Sequence, residues 1–125
     1  MIDHVSIEVA ELKEASEFYE RVLATIGFKK LIEKPRTSGF GKKYPEFWLN
    51  HRPNKGQAPE DTGFHVCLRA SSIEAVNMFH KTAIENGAKS GGDPGFRPEY
   101  HESYYAAFIK DKDQNHIEVV TFVSV

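Results

Sequence analysis

The side chains in this sequence that could carry chemistry are mainly imidazoles and carboxylates. His4 and His65 stand 61 residues apart, each ahead of an alternating apolar run, and Glu118 lies in a third such run near the C-terminus. Imidazole and carboxylate together suit proton transfer near neutral pH or ligation of a divalent ion. The single cysteine, Cys67, cannot form a disulfide within the chain, and it rules out every Cys-rich zinc motif, so a metal site has to be built from His, Asp and Glu. Trp48 offers a stacking face, and Tyr100, His101 and Tyr105, from the stretch RPEYHESYYAAF, offer hydrogen bonds or acid/base groups.

Elements must exist to position these groups. Residues 2–10 alternate, with Val5, Ile7 and Val9 on one side and His4, Ser6 and Glu8 on the other, as in a half-buried strand. Leu12, Ala15, Phe18, Tyr19, Val22, Leu23 and Ile26 follow at helical spacing, and Gly27 supplies a stop. The pattern returns with Val66, Leu68 and Ala70 opposite His65, Cys67 and Arg69. A helix follows, opening with a capping box at Ser71 and Glu74, burying Ile73, Val76, Phe79, Ala83 and Ile84, and ending at Gly87. His4 and His65, Leu12 and Ile73, and Phe18 and Phe79 all keep the same offset of 61, which marks a tandem duplication.

Strand candidates at 29–33, 39–42 and 46–50, and at 104–110 and 116–123, complete a βαβββ unit written twice. The fold class expected is α+β, with two such modules forming a curved, cup-shaped mixed sheet with helices outside. Module 1 spans about 1–55 and module 2 about 60–125 of a single domain. The polar stretch 51–63 reads as the connection, and 87–101, with its Gly-Gly and Pro-Gly steps, reads as a long surface loop able to cover a site. The Asp111–Asn115 run reads as a hairpin turn, since it lacks the glycine and terminal glutamate of a calcium loop.

The apolar side of each first strand should pack on its helix, which leaves His4 and His65 on the concave side at equivalent points of the repeat. Ile117 and Val119 take the helix side of the last strand, so Glu118 turns toward the two histidines. Strand histidines satisfied by backbone groups are the ordinary alternative; the matched positions favour a joint role. Cys67, Asn50, Trp48 and Tyr100 are expected to line the pocket, with Tyr105 and His101 as catalytic candidates. For Arg69 and Glu8, mutual pairing is expected ahead of binding an anionic substrate.

Composition narrows the function. The chain has 125 residues, 40% hydrophobic and 27% charged, as expected for one folded unit. A net charge of −2 lacks the basic excess that a nucleic-acid backbone rewards. No apolar run approaches the roughly 20 residues of a membrane span and no signal peptide is apparent, so a cytoplasmic protein is expected.

Asp3-His4-Val5, the helix from Phe18-Tyr19 to Gly27-Phe28, Gly63-Phe64-His65-Val66, and Ala107 to Asp113 running on to Ile117-Glu118 together resemble the vicinal oxygen chelate superfamily, which includes glyoxalase I, extradiol dioxygenases and bleomycin- or fosfomycin-resistance proteins. The resemblance implies that His4, His65 and Glu118 ligate one divalent ion, Fe, Mn, Ni or Zn, with open positions for two neighbouring oxygens of a small-molecule substrate. It also implies a homodimer, with the pocket closed either within a chain or by modules exchanged between chains. The activity expected is that of a metal-dependent lyase or dioxygenase; the alternative is a protein that sequesters a drug or metabolite without turnover. Glyoxalase I-like members carry a second glutamate on the fourth strand, where the register Glu46 to Asn50 puts Trp48, which argues against lactoylglutathione lyase chemistry.

Overall fold

The computed structural model describes residues 1–56 and 59–123. The first module runs β1 (Val5–Val9), α1 (Leu12–Ala24), β2 (Lys29–Lys34), β3 (Thr37–Gly41) and β4 (Phe47–His51). The second runs β5 (Val66–Arg69), α2 (Ile73–Glu85), β6 (Lys89–Phe96), β7 (Tyr104–Lys110) and β8 (His116–Phe122). The βαβββ order therefore appears twice, as the repeat predicts.

Both helices follow the expected apolar stripe and end at glycines in the left-handed region, Gly27 at φ 85° and Gly87 at φ 102°, where a side chain would be strained. Two details differ. The N-cap of α2 is Ser72, whose hydroxyl accepts from the Ala75 amide at 3.1 Å, so the cap sits one residue later than the Ser71 box predicts. Ile84, expected inside, is 38% exposed near the end of α2.

Each module forms its own four-stranded sheet, in the orders β1-β4-β3-β2 and β5-β8-β7-β6, with the first and last strands of each module parallel and the other pairs antiparallel. The stretch expected to be a long loop is mostly β6. Its Gly91, Gly92, Pro94 and Gly95 hide the strand from propensity, yet it pairs with β7 from Lys89 to Phe96 through two register shifts. The connection between the modules contains residues 57–58, and the second module's proposed end contains residues 124–125; all four lie outside the described residues.

One face of each sheet is packed on its helix. Ile7, Val9, Phe40, Phe47 and Leu49 meet Tyr19, Val22 and Leu23 below α1, and Val66, Ala107, Ile109, Ile117 and Val119 meet Val76, Phe79 and Ala83 below α2. The two halves join through α1 against α2 and through the Asp111–Asn115 turn. Asp111 organises that turn: its carboxylate accepts from the amides of Asp113 and Asn115, from the Asn115 side chain, and from the hydroxyl of fully buried Tyr19 at 2.6 Å. Burial raises the Asp111 pKa above the ordinary carboxyl value, and these hydrogen bonds oppose the rise. Asp113 and Asn115 then reach across to Ala10 N and Glu8 O at the end of β1. No helix among the described residues is long and apolar enough to cross a membrane.

Candidate functional site

Register decides which side chains share a face. In the second sheet Cys67 lies opposite Glu118, and Glu118 opposite Phe108, so all three project from the face turned away from α2. His65, just ahead of β5, places Nε2 3.0 Å from Glu118 Oε1. Glu118 is only 3% exposed, and its other oxygen accepts a short hydrogen bond from the Tyr104 hydroxyl. Burial, then the bond to Glu118, raises the Tyr104 pKa, so the phenol holds its proton and acts as a donor. Cys67 is exposed as a residue, not buried as the commoner case for cysteine suggests. Partial burial of its thiol, followed by the Glu118 carboxylate beside it, pushes its pKa up to about 12, which leaves an unreactive thiol.

The first sheet carries its own polar group. Ser6 lies opposite Trp48 and Glu8 opposite Asn50, so Trp48 and Asn50 share the face expected for them. Asp3, His4, Ser6, Tyr44, Pro45 and Trp48 line an open hollow of about 560 Å³ there. Trp48 lies over Gly39, where an added Cβ would come within 3.0 Å of both its ring and the Pro45 side chain. The His4 Nδ1 atom meets Asp3 at 2.8 Å.

His4 does not join His65 and Glu118 within the chain. No cluster of three His, Cys, Asp or Glu side chains able to hold a metal occurs among the described residues. Equivalence in the repeat does not fix how the modules meet, and here they meet through the helices and the Asp111 turn, which leaves His4 outside the His65–Glu118 group. As a test of fit, His65 and Glu118 stand well as neighbouring ligands, since two cis donors each about 2.1 Å from an ion lie about 3.0 Å apart. One chain thus supplies two of the three expected donors in one place.

Tyr105 is not on this face. Its parity in β7 is that of Ala107 and Ile109, so the ring packs on the helix-side core and the hydroxyl donates to Asn77 Oδ1 on α2 at 2.7 Å. The tyrosine that reaches the carboxylate is its neighbour Tyr104. Tyr100 stacks edge-on against Tyr104 with ring centres 5.2 Å apart, and His101, exposed in the turn before β7, accepts from the Ser103 amide and stands 6.3 Å from the ring of Phe122. Arg69 and Glu8 do not pair: Arg69 lies over the Phe122 ring at 4.8 Å, and Glu8 faces Lys55. Tyr104 and Phe108 were reachable from the sequence, because the Asp111–Asn115 turn fixes which residues of the hairpin face Glu118.

A model of the Glyoxalase/Bleomycin resistance protein/Dioxygenase superfamily matches residues 1–119. Among solved structures, the chain is similar to a glyoxalase/bleomycin resistance protein from Albidiferax ferrireducens T118, with 26% identity, a TM-score of 0.81 and coverage of 94% of this chain and 95% of that one. It is also similar in fold to a family enzyme from Burkholderia phytofirmans PsJN, at 20% identity, TM-score 0.75 and 98% coverage of both chains. The fosfomycin resistance protein FosX from Listeria monocytogenes shares the fold at 14% identity and TM-score 0.71, over 98% of this chain and 93% of that one. No curated protein matches the sequence. The doubled βαβββ frame, the His65–Glu118 pair on its helix-free face and a match over nearly the whole length lead to one assignment: the chain belongs to the glyoxalase/bleomycin resistance/dioxygenase superfamily.

Proposed function

We propose that this protein is a cytoplasmic, single-domain, metal-dependent enzyme acting on a small molecule with neighbouring oxygens. Its site is shared between two copies of the chain: His65 and Glu118 of one subunit and the partner subunit's His4 hold a single divalent ion. The observation that carries the reading is the buried Glu118 carboxylate with an imidazole nitrogen 3.0 Å away. A carboxylate in that setting is costly unless it is paired or ligates a cation. When bound, the ion would stabilise negative charge developing on chelated substrate oxygens.

The chain's own residues prepare that site. Tyr104 holds one oxygen of Glu118 and directs the other toward His65. Trp48 and Asn50, on the same sheet face as His4, would form a wall of the joint pocket. Tyr100, stacked on Tyr104, and His101, near Phe122, would border it. With Tyr105 turned to α2, proton transfer falls to His101 or to groups on the substrate.

One observation favours the second reading, ligand sequestration without turnover: an aromatic ring, Trp48, stands on the fourth strand where a carboxylate base is expected. Metal analysis of protein purified without a histidine tag, together with the His65→Ala variant, tests the proposal. About one divalent ion per chain, lost in His65→Ala, supports the metal site. Metal-free protein that binds aromatic oxygenated ligands as tightly as metal-treated protein supports sequestration.

A further inference from the structure

The glycine-rich strand β6 has no role in the metal reading, yet it forms a bed for one arginine. Arg97 follows β6 and folds back over the helix-free face, its guanidinium carbon 5.7 Å from the centre of the Phe108 ring. An added Cβ at Gly92 would come within 3.1 Å of the Phe108 ring and 3.2 Å of Arg97 Nη2, and one at Gly95 within 3.3 Å of Nη1. Nη1 donates to Gly95 O and Nη2 to Asp93 O, both at 2.8 Å, which fixes the group in place. Two of its five N–H donors are committed to carbonyls, and the other three have no hydrogen-bond partner among the described residues.

None of the ion pairs among the described residues includes Arg97 or Arg69, the two guanidinium groups of this face. The same Phe108 ring that carries Arg97 stands 6.2 Å from the His65 ring, so the cation and the His65–Glu118 pair are neighbours across one phenyl group. A half-buried, immobilised guanidinium with free donors and no carboxylate partner is a receptor for a planar oxyanion.

We infer that Arg97 is a specificity-determining residue that binds a carboxylate group of the ligand, making the preferred ligand a small organic acid with a planar ring or chain beside Phe108. The inference adds the ligand's charge to the proposed function and rests on that reading for the location of the pocket. It concerns Arg97 alone, and so it can be tested without a metal.

The probes are benzoate and its neutral counterpart benzamide, titrated into the purified protein while the arginine Nε–H resonances are followed by 15N NMR. The Arg97 signal is assigned by its loss in Arg97→Lys. The expected result is a saturable shift of the Arg97 signal with benzoate, at most a weak one with benzamide, and about tenfold weaker benzoate binding in Arg97→Gln. An equal response to the two probes, or benzoate affinity unchanged in Arg97→Gln, overturns the inference. Metal analysis of the same samples keeps the two questions apart. Metal bound with no benzoate response defeats the Arg97 assignment alone, and a benzoate response at Arg97 in protein that takes up no metal defeats the metal centre alone.

Discussion

Trp48 and Glu118 occupy the same place in the two sheets. Trp48 lies opposite Ser6 as Glu118 lies opposite Cys67, and Ser6 and Cys67 are the same position of the repeat. The strands beside them trade sizes as well: Trp48 lies over Gly39, whereas Glu118 faces Phe108. One module thus presents an indole where the other presents a buried carboxylate. The duplication has put an aromatic side chain in one half and a charged one in the other.

That division predicts ligand preference. In Trp48→Ala, stacking of about 0.5–1.5 kcal/mol beyond the lost area disappears, so an aromatic chelator such as catechol should bind about tenfold more weakly while metal content stays constant. An aliphatic diol should be little affected. Titration of both ligands into wild type and variant checks this, and equal losses for the two would make Trp48 a structural residue only.

If the site is shared, inactive chains should rescue each other. His4→Ala and His65→Ala protein should each lack metal, and a refolded equimolar mixture should regain about a quarter of the wild-type sites, because half the dimers are mixed and each mixed dimer holds one intact set. Metal analysis before and after mixing reads the result. A mixture as empty as its components would place all three ligands in one chain.

Tyr104 and Tyr105 should behave oppositely although they are adjacent. Tyr104→Phe removes the donor to Glu118 and should weaken metal affinity by about 10- to 100-fold, as loss of a group supporting a ligand does. Tyr105→Phe loses only an exposed bond to Asn77 and should leave metal affinity unchanged, with a stability cost of about 1 kcal/mol or less. Competition with a metal-binding dye measures both.

The Asp111 turn predicts a dependence of stability on pH. Its carboxyl is raised by burial, so between the ordinary value of 3.8 and the raised native value the folded chain holds a proton that the unfolded chain has released. The contribution of this group is therefore full below 3.8 and is lost as pH rises through the native pKa. In Asp111→Asn that slope should vanish. Thermal unfolding at a series of pH values above 3.8 compares the two proteins, and parallel profiles would refute the assignment.

Much of the fold was legible because its information is local. The alternation from Val5 to Val9, the stripe from Tyr19 to Leu23 and the stop at Gly27 each declare their element within a few residues. β6 was hidden because its glycines serve Phe108 and Arg97, which are contacts across the sheet rather than along the chain. Of the candidate site, the His65–Glu118 pair and the Trp48 face could be read from strand parity. The choice of Tyr105 over Tyr104 failed by one residue of that parity. The separation of His4 from His65 could not be read at all, because it depends on how α1 packs against α2.

The irregular pairing of β2 and β6 has a consequence for how the protein survives at high concentration. Each is one of the two edge strands of its sheet, the other edges being β1 and β5. β2 is charged, with the sequence KKLIEK, and slips register after Lys30, while β6 slips twice and contains Pro94, which has no amide hydrogen to donate. A foreign strand arriving at one of these rims meets charged side chains, a kink or a missing donor. These two rims are therefore poor templates for stacking into fibrils, and neither helix has to be spent on covering them.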